Sequence, residues 1–294
     1  MPQGRIDNKI AISGATGFIG NALSNFLECN GYTVVRLKRQ HFKSKKSQLK
    51  TLLNGCSVVI NLAGAPIAAK KWTPNYKREI LNSRINTTNV LVDAIHHMET
   101  SPEIIITASA VGIYDSFEVH DEFSTNYAND FLGDVCKQWE AEAYKVQSLT
   151  DVRLCIVRLG VVLGNEGGAF PRMLKPFKFG LGARLGDGHQ VFPFIHLNDV
   201  LSAFWYLIRR EASNGIYNLV APQMLSNLEI TEAIKERTRK SVLPAIPEKL
   251  LRVMFGEGAN ALLVGQKVLP KRLEKDGFHF EFPTFEAVLD DLIC

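Results

Sequence analysis

The chain has only five cysteines in 294 residues, at positions 29, 56, 136, 155 and 294. The number is odd and no Cys-x-x-Cys spacing occurs. That argues against a disulfide framework and a zinc site, so no metal is expected, and it suits a reduced compartment. No apolar run approaches the roughly 18 residues of a membrane-spanning helix. The opening MPQGRIDNKIAISGATG lacks the apolar core of a signal peptide, because Ser13, Gly14 and Thr16 interrupt it. A cytoplasmic protein without a membrane partner is expected. Internal repeats are missing too. Excess positive charge is confined to one place: residues 36–50 hold seven Lys and Arg and no acid, while 27 basic residues face 30 acidic ones elsewhere. No broad basic face follows, which speaks against nucleic acid as a partner. The basic stretch is either a solvated loop or the holder of one anionic ligand.

What is present is ordinary globular material, with 46% hydrophobic and 22% charged residues. The length suggests about two domains at roughly 150 residues each. Strand and helix alternate through the first half. KIAIS (9–13), YTVVRL (32–37), CSVVINLAG (56–64), IIITASA (104–110) and VRLCIVRLGVVLG (152–164) read as strands. Helices are expected from Phe18 to Asn30-Gly31, from Thr73-Pro74 onward and over 131–146. This order predicts an α/β domain with a parallel sheet. Beyond Gly164 the glycines and prolines suggest loops and hairpins. FPFIH (192–196) and GIYNLV (215–220) read as strands, with a helix between them through Arg210 capped by Asn198 or Asp199. Ser226 and Glu229 form a capping box. The tail from Pro247 is expected to be helical, followed by a strand FHFEF (278–282) and a last helix from Thr284.

The strongest motif is Gly14-Ala-Thr-Gly17-Phe18-Ile19-Gly20, which follows a strand and opens a helix. Gly14 permits the turn, Gly17 leaves room for a pyrophosphate, and Gly20 lets the helix approach the sheet. The helix N-terminus offers N–H groups to phosphate. A dinucleotide is the expected ligand. NAD-specific sites carry an acid at the end of the second strand, to bind the ribose 2′-hydroxyl. Here the only acid between residues 21 and 50 is Glu28, on the preceding helix, and the strand runs into Lys38-Arg39. Two cations there suit the 2′-phosphate of NADP(H).

The segments GATGFIG, NLAGAPI, KREILNSRINTTNVL, TASAVGIY, the Trp139-Glu140 helix, VRLGVVLG, GHQVFPFIHLNDV and GQKVLPKRL occur in that order. Together they resemble the extended short-chain dehydrogenase/reductases, and most closely their atypical epimerase-family branch. The resemblance covers about residues 9–290. It implies a Rossmann-type, doubly wound parallel sheet of seven strands with a smaller C-terminal α/β lobe. Residues 1–164 would form the NADP-binding domain, to which later segments return, and 165–294 a substrate lobe with a family-specific C-terminal segment. It also implies that Leu62 and Ala63 pack beside the adenosine half, that Glu79 and Arg84 contact NADP, and that Val162 closes over the nicotinamide end.

The superfamily's usual acid/base is a Tyr with a Lys four residues later, which shares its helix face and lowers its pKa. The residues four after Tyr32, Tyr76, Tyr114, Tyr127, Tyr144, Tyr206 and Tyr217 are Arg36, Ile80, Glu118, Phe131, Ser148, Arg210 and Ala221. The pair is absent. Alignment on the Trp139-Glu140 helix puts Leu132 at the Tyr position and Cys136 at the Lys position, while Ser109 matches the usual upstream Ser. The candidate catalytic residues are therefore Ser109, Tyr114 and Cys136. Tyr114 lies five residues after Ser109, on the loop leaving the same strand, while the other two have plainer readings: a strand-end hydroxyl for Ser109, a buried small hydrophobe for Cys136. His196 is either a pocket-wall group or a half-buried histidine before a helix. Residues 180–196 are the expected substrate-facing segment. The expected function is an NADP(H)-dependent oxidoreductase or epimerase-like enzyme acting on a small molecule through a non-standard site. The alternative is a non-catalytic NADP(H)-binding redox sensor or partner-binding protein.

Overall fold

The computed structural model describes residues 8–43, 46–149 and 151–293. Lys45 of the basic stretch and Cys294 lie outside the described residues. In chain order the first elements are β1 (Lys9–Ser13), α1 (Phe18–Cys29), β2 (Thr33–Leu37), α2 (Lys46–Leu53), β3 (Val58–Asn61), α3 (Pro74–His96), β4 (Ile104–Ala110), β5 (Val119–His120), α4 (Phe131–Tyr144) and β6 (Arg153–Leu159). They are followed by β7 (Val161–Gly164), β8 (Gly167–Gly168), α5 (Phe170–Lys178), β9 (Phe194–His196), α6 (Leu197–Arg209) and β10 (Gly215–Leu219). The C-terminal part adds α7 (Asn227–Thr238), α8 (Glu248–Phe255), α9 (Asn260–Leu263), β11 (Lys267–Val268), α10 (Lys271–Lys275) and α11 (Phe285–Leu292).

The central sheet is parallel and runs β10-β6-β4-β3-β1-β2. Successive side chains on a strand point to opposite faces. Ile10, Ile12, Val58, Ile60, Ile104 and Ile106 thus pack with Leu23 and Leu27 of α1 and Phe204 and Leu207 of α6. Ala11, Val59, Ile105 and Ile156 pack on the other side with Leu49 and Leu53 of α2 and Leu91 and Ile95 of α3. Helices cover both faces, so the sheet is doubly wound and of Rossmann type. β10 lies beyond residue 164 in the chain and pairs with β6 at the edge of this sheet. A second cluster, built from Leu163, Phe170, Phe177, Phe194, Ile234, Phe282, Phe285 and Leu289, forms the core of the smaller lobe.

The sheet has six strands among the described residues, not the seven that the resemblance implies. The missing one would lie outside β2, where the chain instead makes a 3-10 turn, Arg39–Phe42, and then α2. The basic stretch lacks the apolar alternation that would seat a strand on a sheet. Two more expectations fail together. Residues 278–282 join no sheet, because the N–H groups of Glu281 and Phe282 donate to the Asp199 carboxylate at 2.8 and 3.0 Å. Asp199 is thereby taken, and α6 is capped by His196, whose Nδ1 accepts from Asn198 N at 3.2 Å. The strand expected over 152–164, running on into a loop, ends at Leu159; the chain turns at Gly160, where a Cβ would lie 2.6 Å from the Pro193 carbonyl oxygen, and the expected loop is instead a second strand, β7. β7 then leaves the sheet to pair with β9.

Candidate functional site

The glycine loop sits at the carboxyl end of β1. Gly14 has φ +72°, and a Cβ there would come within 2.7 Å of the Leu62 carbonyl and 2.9 Å of Ala63 N. Both facts demand glycine, and they put Leu62 and Ala63 directly against the turn. Gly17 N donates to Gly14 O at 2.9 Å. A Cβ on Gly20 would strike the Gly14 carbonyl, 2.8 Å from its carbon, so Gly20 lets α1 close on the loop. Gly17 differs: the single neighbour of an added Cβ is Gly14 O at 3.3 Å. Its outer side is open, and α1 starts there with no side-chain cap. Ile19 is half-buried in that first turn. The Phe18 ring is overlaid by the β7–β8 turn, where a Cβ on Gly167 or Gly168 would come within 2.8 Å of it. This contact holds the strand of Val162 next to the glycine loop. The loop therefore fits a dinucleotide: an open, uncapped helix start on one side, close packing on the others.

Beneath the loop runs a buried polar chain. Ser13 Oγ donates to Asn61 Oδ1 at 2.6 Å, Asn61 Nδ2 to Thr88 Oγ1 at 2.8 Å, and Trp139 Nε1 to the same Thr88 oxygen at 2.9 Å. It fixes the ends of β1 and β3 to α3 and α4. At the end of β2, Lys38 and Arg39 are exposed and make no ion pair among the described residues. Glu28, the one acid nearby in sequence, is bound bidentately by Arg36, and this pairing holds its carboxyl below the usual range. The corner is left cationic.

Arg84 is more structural than the resemblance implies. Its Nη1 donates to Ala65 O at 3.1 Å and Ile80 O at 3.0 Å, and its guanidinium lies over Trp139 at 5.2 Å. A Cβ on Gly64 would come 2.9 Å from its Cζ. Arg84 thus fastens the loop after β3 to α3, and burial lowers its pKa. Glu79 is exposed on the preceding turn of α3.

The three candidate catalytic residues meet a network that sequence reading missed. Ser109, at the end of β4, donates to Glu140 Oε1 at 2.6 Å. Glu140 takes a two-pronged contact from Arg158, Nε to Oε1 at 2.9 Å and Nη2 to Oε2 at 2.7 Å. Arg158 Nη1 donates to the Tyr114 hydroxyl at 2.7 Å, which donates to Asn218 Oδ1 at 2.9 Å. All five residues are buried. Burial alone would push the Arg158 guanidinium down, but its bonds to Glu140 and the charge beside it hold it above its ordinary value.

This corrects the expectation for Tyr114. It is fully buried, stacked on His120 at 4.9 Å, and burial pushes its pKa up to about 12, so it is no proton donor to a cleft. Cys136 follows its plainer reading. It is packed in a core cluster, and burial, then the Glu140 charge, push its pKa up to about 11. Leu132, Cys136 and Glu140 are spaced four apart on α4, so one helix face carries Leu and Cys where a Tyr-Lys pair would stand and then the carboxylate that holds Ser109. The signal for the network was present in the sequence, since Arg158 is a charge following the apolar run Leu154–Val157 inside β6. His196 is a helix cap, not a pocket wall. In residues 180–196, Asp187 accepts from His189 N at 3.0 Å and Gln190 Nε2 donates to Leu185 O and Leu262 O, so these polar groups serve the lobe itself.

Among the described residues no helix is long and apolar enough to cross a membrane. The profile of the NAD dependent epimerase/dehydratase family matches residues 10–219, and that of a domain of unknown function (DUF1731) matches 246–292. The mouse (Mus musculus) epimerase family protein SDR39U1 is 34% identical over 294 residues, covering 97% of this chain and 100% of that protein. The Arabidopsis thaliana homologue, described as chloroplastic, is 35% identical over 95% of this chain and 85% of its own length. The crystal structure of human epimerase family protein SDR39U1 (isoform 2) with NADPH superposes with a TM-score of 0.90 at 31% identity, covering 97% of this chain and 98% of that one.

Proposed function

The chain belongs to the NAD dependent epimerase/dehydratase family, and from that premise we propose that it is an NADP(H)-dependent oxidoreductase working without a Tyr-Lys pair. The observation that carries this reading is the open glycine cradle beside a cationic corner whose only nearby acid is already paired. The similar human structure with NADPH supports it. Gly14, Gly17 and Gly20 would hold the pyrophosphate against the start of α1, with Phe18 and Ile19 in the first turn. Lys38 and Arg39 would take the 2′-phosphate. Leu62 and Ala63 would wall the adenosine side and Val162 the nicotinamide side, with Arg84 and Glu79 on the facing helix. Bound there, the cofactor supplies a hydride.

The chain's own residues then limit the substrate. Ser109 gives its hydroxyl proton to Glu140. Its proton is thus committed to the carboxylate, and it supplies no acid to a substrate. With Tyr114 and Cys136 sequestered, the proton for a reduced product comes from water or from the substrate itself. A positioned acid typically contributes about 10²–10⁴ in rate. The site therefore favours small carbonyl compounds that take hydride readily, such as quinones. Epimerisation, which needs a base to take and return one proton, is disfavoured by the same reasoning.

Fluorescence titration with NADPH and NADH tests the cofactor assignment. At an exposed corner, screened by water, the preference for NADPH is expected to be about tenfold or more, and Arg39→Asp should abolish it. Equal affinity for the two cofactors in the parent protein would overturn it. Turnover of a quinone, measured as NADPH oxidation beside a simple ketone, tests the substrate class. Faster ketone reduction would refute it.

A further inference from the structure

The segment from α8 to β11 plays no part in the function proposed above, yet it is fastened to three sides of the sheet's carboxyl edge. At one end the turn Gly256–Ala259 rests on the loop that leaves β3. Lys77 Nζ pairs with both Glu257 oxygens at 2.8 and 2.9 Å, and a Cβ on Gly258 would come 3.3 Å from the Trp72 indole. Trp72 is itself fixed by its N–H to Ile67 O at 2.8 Å and by an edge contact with Phe131. In the middle, Leu262 O accepts from Gln190 Nε2 at 3.1 Å, and a Cβ on Gly265 would strike the Val191 carbonyl, 2.7 Å from its carbon. At the other end β11 pairs with β5, and Leu269 N donates to His120 O at 2.9 Å.

These supports belong to three different walls. The Trp72 loop begins at Leu62–Ala63, against the glycine turn. Val191 leads into β9, the neighbour of Val162. β5 lies on the chain that leaves the Ser109 strand. A segment tied to all three crosses the mouth they enclose.

The segment is held firmly where the chain enters and leaves it and loosely between. Before α8, Ile246 N donates to Arg184 O and Gly186 N donates to Ile246 O, both at 2.9 Å, and after it the Gly265 contact and the β11–β5 ladder are close-packed. α8, by contrast, buries only Leu251, while Val253 and Met254 are 74% and 55% exposed. Gly256, with φ +60°, sits where α8 meets the turn, a backbone conformation that side-chain-bearing residues rarely adopt. The Lys77–Glu257 pair is partly exposed, the class of ion pair that breaks at little cost.

From this arrangement we infer that residues 248–265 are a strap over the cofactor cleft, anchored at both ends, whose middle, α8 and the turn after it, lifts with Lys77–Glu257 as its latch and retains bound dinucleotide. The inference rests on the cofactor reading above, and the experiment separates the two. Trypsin cleavage at the exposed Lys249 and Arg252 reads opening of the free protein, and a stopped-flow chase reads NADPH release. NADPH is expected to slow cleavage of the parent protein. Glu257→Gln, which breaks the ion pair without adding a tryptic site, is expected to speed cleavage and to raise the NADPH release rate about 2–5-fold, the size set by a weak ion pair. Removing the acid would by itself hold an anion longer, so faster release reports opening. Unchanged cleavage in Glu257→Gln overturns the strap, whatever happens to release. Faster cleavage with unchanged release overturns its role in retention. Faster cleavage in a protein that binds no NADPH removes the cofactor reading and leaves the strap.

Discussion

Replacing Glu140 by Gln perturbs the buried network at its centre. The carboxylate accepts from Ser109 Oγ and from two Arg158 nitrogens, all at 2.6–2.9 Å. The amide keeps one acceptor oxygen and turns an NH₂ group toward Arg158 N–H or Ser109 O–H, so at least one bond becomes a donor facing a donor. The Arg158 side chain is 1% exposed and that of Glu140 6%, so solvent offers no compensation. Breaking a buried pair by removing one partner costs about 3–5 kcal/mol, because the other charge stays behind. Losing one or two charge-assisted hydrogen bonds at about 1.5–3 kcal/mol each gives the same range. With an m-value near 3 kcal/mol/M, Glu140→Gln should shift the urea midpoint down by about 1–2 M. The double variant Glu140→Leu with Arg158→Met leaves no orphaned charge and should lose less than Glu140→Gln alone. A Glu140→Gln midpoint within roughly 0.3 M of the parent would refute the account. So would a double variant less stable than the single one.

Gly20→Ala should cost about 1–3 kcal/mol through overpacking against the Gly14 carbonyl, and NADPH binding should weaken with it; thermal melts and a titration read both. For His196, burial lowers the pKa while Asp291, 3.2 Å from Nε2, and more distant Glu281 oppose the shift. Its Nδ1 must be unprotonated to accept from Asn198 N. The lowered folded pKa means that its contribution, about 1 kcal/mol for a helix cap, is fully present above the unfolded value near 6.5 and is lost as pH falls through the folded one. Melting temperatures of the parent should therefore drop more steeply below about pH 6.5 than those of His196→Asn, which caps without titrating; parallel curves would show that His196 does not titrate in this way.

The first third of the fold was legible because its determinants are local. A strand, three spaced glycines and an amphipathic helix lie within 21 residues, from Lys9 to Cys29, and each can be read without knowing what packs on it. Thr73-Pro74, Ser226-Glu229 and Thr284 announced their helices for the same reason, and all three serve as caps. Failures occurred where a residue's partner is far along the chain. Asp199 looks like a helix cap until the amides of Glu281 and Phe282 claim it from 82 and 83 residues away. Tyr114 looks like a loop-borne acid until Arg158 and Asn218, 44 and 104 residues on, enclose it. No periodicity encodes such meetings.

The loss of the Tyr-Lys pair and the presence of the Glu140–Arg158 pair are two aspects of one rearrangement. A Lys at position 136 would stand one turn from Glu140 on the same face of α4 and would compete with Arg158 for the carboxylate. A Tyr at position 132 would need that Lys to lower its pKa. Instead, Arg158 rises from β6 to take Glu140 and to bind the Tyr114 hydroxyl. Charge that elsewhere tunes a proton donor here fixes Ser109 and joins β4, β6 and β10 at their carboxyl ends. The consequence for the proposed chemistry is that the glycine cradle is kept while burial takes Tyr114 and Cys136 out of use as proton donors near neutrality, so a reaction run there would draw its selectivity from what the substrate can do unaided.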